Sequence, residues 1–293
     1  MKKILMTLAA VLCCTMTVSA QDTQAGRNRS YNIVLNNVQY THRDEKMSAG
    51  EAVGKILTSV LTGNSSVQAT KYEEDVKTAI VKGLSRSYRF RYNEALLQAG
   101  EATEEGNLVV DAVITNIQAK TNTRTWKDKD DKTQVSTTYT GIVETTLTLK
   151  DAKTGNVVAS PSINGQGTEY SSSSTSDQAI RDAITRLANN ITIWLNRYRP
   201  LHANIIEGAT AKKTKQKEVY IDLGSREGAR VGLHLSVFQV KTIGGHEAKS
   251  QIGKLKIEDV EGADISLCKV QSGGKDIKTA LENGENLRVV TTE

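Results

Sequence analysis

Few residues in this 293-residue chain have the types and spacing that do chemistry. The four histidines, His42, His202, His234 and His246, stand far apart. None has a second His or Cys three or four positions away, so surface or packing roles are expected rather than metal or general-base work. Asp111 and Glu144 fall on alternating, strand-like stretches and could meet, but two strand carboxylates alone do not make an acid–base pair. The run Lys127-Asp128-Lys129-Asp130-Asp131-Lys132 is acidic enough to suggest calcium, yet it lacks the ordered Asp/Gly/Glu spacing of a calcium loop. It reads as an exposed hairpin tip. The serines at 171–174 have no base beside them, and the glycine-rich stretches lack a Walker lysine or a dinucleotide fingerprint. No catalytic, metal-binding or cofactor-binding residue is therefore expected, and no cofactor.

What the sequence does offer is a binding-type element. Over residues 219–240, VYIDLGSREGARVGLHLSVFQV, apolar and polar residues alternate, stop at Gly224, and resume at Leu233. Between them Ser225, Arg226, Glu227 and Gly228 form a turn in which glycine takes a positive φ without a Cβ clash. These four residues, at the mouth of a small β-barrel, are the candidate partner-binding loop.

The elements around that loop follow from pattern and composition. Lys2 and Lys3, the apolar run 4–16 and the small residues Val18-Ser19-Ala20 have the layout of a secretory signal over residues 1–20, with export and cleavage before Gln21 expected. Leu12 is a poor residue to precede an acylated Cys13. Of three cysteines, Cys13 and Cys14 lie in that segment, leaving Cys268, between strand-like neighbours, as buried filler. The formal charge of +5 is scattered except at Lys212, Lys213, Lys215 and Lys217, which read as a solvated linker over 207–217 or as contact with an anionic surface. Few aromatics and export argue against nucleic acid.

Strands are expected at 31–38, 89–92, 108–119, 138–149 and 157–170, with a β-turn at 151–155. Helices are expected at 49–61, from a Thr70/Glu73 capping box onward, and at 180–198 after a Thr175/Gln178 capping box. In the last, Ile180, Ile184, Leu187, Ile191, Trp194 and Tyr198 stripe one face, Trp194 is expected in the core, and Pro200 stops the helix. The fold class is α+β: an antiparallel sheet with helices packed on one face over residues 30–205, followed by a small all-β barrel domain over 218–293.

Two portions resemble known families. The strings YEEDVKTAIVKGLSRSYRFRY, LVVDAVITNIQA and VETTLTLKDAKTGNVVAS, with the closing helix, resemble the CsgG-like group, which includes the curli-secretion lipoprotein, penicillin-binding-protein activators and the N-terminal domain of TolB. VYIDLGSREGARVG, IGKLKIEDVEGADISLCKV and NGENLRVV resemble the C-terminal domain of the flagellar protein FlgT. The resemblance implies a non-enzymatic assembly or interaction factor of the cell envelope, in the periplasm or at the periphery of the outer membrane. The partners it implies are other envelope proteins or further copies of the chain, with peripheral membrane or glycan contact left open. The alternatives are an activator of peptidoglycan synthesis, a component of an outer-membrane secretion channel and, last, an envelope hydrolase. Residues 121–140, TNTRTWKDKDDKTQVSTTYT, count against a pore, because a lipid-facing strand needs one apolar face over about 9–11 residues.

Overall fold

The structure, a computed structural model, describes residues 30–41, 72–98, 104–167 and 173–292. The signal-like segment, the 49–61 helix, His42 and Thr70 lie outside them.

Alternating apolar positions build a first sheet. Its strands are β1 (Tyr31–Tyr40), β2 (Phe90–Tyr92), β3 (Leu108–Lys127), β4 (Thr133–Asp151), β5 (Val157–Ala159) and β6 (Ser162–Asn164). The order is β2-β1-β3-β4-β5, with β6 also on β4. β3 and β4 form an antiparallel hairpin, but β1 runs parallel to both β2 and β3, so the sheet is mixed. The stretch expected as one strand from 157 is split at Pro161, whose missing N–H cannot serve the ladder.

Two helices cover one face, α1 (Glu73–Ser85) and α2 (Ser176–Tyr198). Ile33, Leu35, Leu108, Val110, Ile114, Val143, Leu147 and Leu149 from the sheet meet Val76, Ile80, Leu84, Ile184, Leu187, Ile191 and Leu195 in one core. Thr175 caps α2, its Oγ1 accepting from the Gln178 backbone N–H at 3.3 Å, while the Gln178 side chain donates to Asp182 at 2.8 Å, so the expected box forms in its first half. α1 differs: it begins at Glu73 after Tyr72, with no side-chain cap. Trp194 is half-buried at the core's margin and stacks on Tyr198, centroids 5.0 Å apart.

Glycine sets how closely α2 approaches. A Cβ on Gly141 of β4 would lie 1.9 Å from the Ala179 carbonyl oxygen, and one on Gly165 would lie 2.0 Å from that of Ala183. Helix and sheet backbones are thus in contact at both points.

The second sheet is a closed antiparallel barrel in the order β10-β11-β8-β7-β12-β9. Its strands are β7 (His202–Lys212), β8 (Lys215–Ile221), β9 (His234–Ile243), β10 (His246–Asp259), β11 (Ser266–Ser272) and β12 (Leu287–Thr291). A helix, α3 (Gly274–Glu282), closes one end with buried Ile277 and Ala280. The segment 207–217 corrects the linker reading. It is the β7–β8 hairpin, so barrel structure begins at His202, not at 218. Weak alternation in HANIIEGATAK hid the strand.

Candidate interaction surfaces

Ser225, Arg226 and Glu227 form one 3-10 turn, ended by Gly228 at φ 94°. The turn is held from two sides. The backbone N–H groups of Ser225 and Arg226 donate to the carbonyls of Gly262 and Ala263, each at 3.0 Å, and Ser225 Oγ donates to Gly262 at 3.1 Å. Across the junction, a Cβ on Gly228 would sit 2.7 Å from the Tyr88 carbonyl oxygen, so the loop lies directly on the N-terminal unit. Glu227 is close enough for its charge to act on buried Arg89, whose guanidinium burial pushes toward lower pKa. The predicted loop is thus seated on the seam between the two cores. Ser225 and Arg226 are its exposed residues, and the Arg226 side chain, paired with Asp264 at 3.2 Å, is its long projecting group.

A buried polar network builds the rest of that seam. Asn196 of α2 accepts from Ser87 Oγ at 2.8 Å and from the Tyr88 N–H at 3.3 Å. Arg89 Nε donates to the Arg199 carbonyl at 2.8 Å. These bonds aim Tyr88 out of its own unit, and it joins the barrel core, in one cluster with Leu201, Leu223 and Leu233. No sequence pattern marks this, because Tyr88 follows the helix without periodicity of its own.

The other candidates stay apart. Asp111 pairs in register with Thr148 and Glu144 with Asn116, so the two carboxylates sit several rungs apart on β3 and β4. Asp111 is buried, accepting from Asn36 Nδ2 at 2.8 Å and bridged by Lys150 at 2.8 Å. Cys268 is fully buried in the barrel core, and burial pushes its thiol up to about 12, which removes thiolate chemistry at neutral pH. Among the described residues no group of three or more His, Cys, Asp or Glu side chains could hold a metal ion. No helix among them is long and apolar enough to cross a membrane.

The surface that sequence reading undervalued is the β3–β4 hairpin. β1 leaves β3 at Ile114, and beyond Tyr139, which bridges Ser173, β4 has no outer neighbour among the described residues. From the rung Asn122/Thr138 to the rung Lys127/Thr133 the ribbon therefore has no strand neighbour among the described residues, over about 17 Å by strand rise. One face carries Thr123/Thr137 and Thr125/Val135, and the other Asn122/Thr138, Arg124/Ser136 and Trp126/Gln134. Val135 is 61% exposed and Trp126 is 45% exposed. The tip is firmly built. Asp128 accepts from Gln134 Nε2 at 2.8 Å and from the N–H groups of Lys132 and Asp130 at 3.0 and 2.9 Å, and these bonds hold its carboxyl below the usual range. The Asp128 oxygens thus accept bonds from the tip itself.

Comparison with known proteins gives no family model that matches and no curated protein that matches. Solved structures give partial likenesses. The PelC dodecamer from Paraburkholderia phytofirmans shows 16% identity over 55% of this chain and 86% of that one, with a TM-score of 0.27. Protein XCC0632 from Xanthomonas campestris shows 11% identity over 57% and 85%, with a TM-score of 0.31. Lipoprotein GNA1162 from Neisseria meningitidis shows 12% identity over 57% and 97%, with a TM-score of 0.20. Each likeness covers little more than half of the chain and superposes loosely.

Proposed function

We propose that the chain is a non-enzymatic interaction and assembly factor of the cell envelope that engages its partners through the β3–β4 arm. The observation carrying this reading is the ribbon beyond Tyr139, whose outer N–H and C=O groups have no strand partner among the described residues. Such edges template addition of a strand, and proteins normally cover or blunt them. Here the flanks are β-prone threonines, with Trp126 and Val135 exposed near the tip. An added strand would come from a second copy or from another envelope protein. The signal-like layout of Lys2 to Ala20 supports the compartment. The arm's threonine-rich face, Thr121, Thr123 and Thr125 with Tyr139, Thr137 and Val135, ends at Lys127 and is shorter and more polar than a lipid-facing band about 25 Å tall requires. Pairing, rather than spanning a bilayer, fits its chemistry. The Ser225–Gly228 turn enters this reading as the seam, with exposed Arg226 as the charged side chain it offers a partner.

The test replaces residues 122–138 by a two-residue Asn-Gly turn, which closes the hairpin at the edge of the sheet. The shortened chain is expected to keep its melting temperature but lose self-association in light scattering and its crosslinked partners in envelope preparations. A shortened chain that retains both sets of contacts overturns the reading.

A further inference from the structure

The end of the barrel remote from the N-terminal unit gathers a second surface. β7 and β8 meet there at the tip Lys212-Lys213-Thr214-Lys215, and the strand register places Ser272 at the end of β11 and the start of α3 beside it. Lys278 Nζ donates to the Lys213 carbonyl at 2.9 Å, and Gly274 rests on the Gln216 carbonyl, locking helix to hairpin. Lys215, Lys217 and Lys275 line a groove of ≈ 310 Å³ between them. Lys212, Lys213, Lys215, Lys217 and Lys275 are all exposed and in no ion pair among the described residues. The acids near it are Asp276, which opens α3, Glu218 next to Lys217, Glu282 bridged to Lys278, Glu247 bridged to Lys249 and Arg288, and Glu285, which accepts from Gln239.

The β9–β10 hairpin projects from the same end. β12 leaves β9 at Gln239, with one more bond from the Val240 N–H to the Asn286 carbonyl at 3.1 Å, and β11 leaves β10 at Lys254, so the rungs from Ala248/Lys241 to His246/Ile243 have no strand neighbour on either edge among the described residues. At its tip Ile243 is 66% exposed, followed by Gly244 and Gly245 at φ 58° and 84°. Lys241 flanks it.

We infer that this end of the barrel docks on an anionic lipid surface, with Ile243 entering the headgroup–acyl boundary and the lysines on the phosphates. Charge complementarity selects the partner. The hairpin places four lysines in six residues with no acid among them, and each lysine near an anionic bilayer adds attraction that salt screens. The lone apolar tip selects lipid over an acidic protein or glycan, because a bilayer offers an apolar layer beneath its charge. Long lysine stems can lie along that layer with their ammonium groups at the phosphates. The surface is separate from the β3–β4 arm, so the two proposals stand or fall independently.

Cosedimentation of the full chain with vesicles tests it. The chain is expected to partition onto phosphatidylcholine vesicles containing phosphatidylglycerol, to ignore phosphatidylcholine alone, and to be released by high salt. Changing Lys212, Lys213, Lys215 and Lys217 to Gln should weaken partitioning about fivefold per lysine without altering the melting temperature. Ile243→Trp should add fluorescence that shifts to the blue on anionic vesicles. Partitioning unchanged by the four substitutions, equal uptake by neutral vesicles, no uptake by either, or an Ile243→Trp signal that does not shift would overturn the inference. Retention on an immobilised anionic polysaccharide without uptake by vesicles would do the same.

Discussion

The Tyr88 hydroxyl lies 3.0 Å from Thr291 Oγ1, joining the corner after α1 to the last strand of the barrel across more than two hundred residues of chain. Thr291 Oγ1 also accepts from the Leu201 N–H at 2.9 Å, where α2 hands over to β7. One side chain thus ties the two cores at the point where the backbone passes between them. Tyr88→Phe should cost about 1 kcal/mol, the usual net worth of one hydrogen bond. Tyr88→Ala should cost about 3–5 kcal/mol, as aromatic truncations in cores do. Calorimetry is expected to show one transition for the parent and two for Tyr88→Ala. Two transitions in the parent would mean that this contact does not couple the units.

Gly228, facing the Tyr88 carbonyl, should be as intolerant for a different reason. Its φ of 94° is strained for any L-residue, and a Cβ would press on a backbone atom rather than a flexible side chain. Gly228→Ala should combine about 1–3 kcal/mol of backbone strain with about 1–3 kcal/mol of overpacking, while Gly232→Ala, whose added Cβ meets nothing within 4 Å, should carry only the strain. Urea midpoints of the two variants separate packing from strain.

A sharper case lies where α2 crosses β4. Gly141→Ala would drive a methyl to 1.9 Å from the Ala179 carbonyl oxygen, and since both partners are main chain, the helix must move. Loss at or above the upper end of the usual overpacking range, about 3 kcal/mol, is expected in chemical denaturation. An unaffected variant would show that α2 does not sit this close.

Much of this architecture can be read from residue types. Thr175, the 180–198 stripe and Pro200 delimit α2, and the charged run 127–132 is the tip of the β3–β4 hairpin. The misses have physical causes. The β7 strand carries Gly208, Ala209, Thr210 and Ala211 in an exposed arm, which leaves no alternation to detect, so its lysines resemble a linker. Trp194 sits on the apolar stripe but at its edge, and helical spacing gives the direction of a side chain without the depth of what covers it. The seam was invisible because Ser87, Tyr88, Arg89 and Asn196 meet only in the folded chain. The arm was visible as sequence, but whether its edges are covered depends on which strands stop short of it.

The last prediction concerns pH. Asp151 ends β4 and holds the sheet's edge turns: Oδ2 accepts from the Gly106 N–H at 2.8 Å, and Oδ1 accepts from Lys153 N–H at 3.1 Å, Thr154 N–H at 2.9 Å and Thr154 Oγ1 at 3.1 Å. Burial alone would raise its pKa, but the hydrogen bonds to the charged form outweigh it and hold the carboxyl below its ordinary value. A lowered folded pKa means that the unfolded chain binds the proton more readily. The stabilisation from this group is therefore fully present above the unfolded value of about 3.9 and is lost as pH falls through the lower folded value. Asp151→Asn keeps the shape but turns an NH2 toward donors, so it should cost about 1–3 kcal/mol at neutral pH. Below the folded pKa the parent's aspartic acid is itself neutral, and the gap between parent and variant should narrow. Urea melts of both proteins from pH 7 down to pH 2 test this, and a gap that stays constant or widens below pH 4 would remove Asp151 from the role.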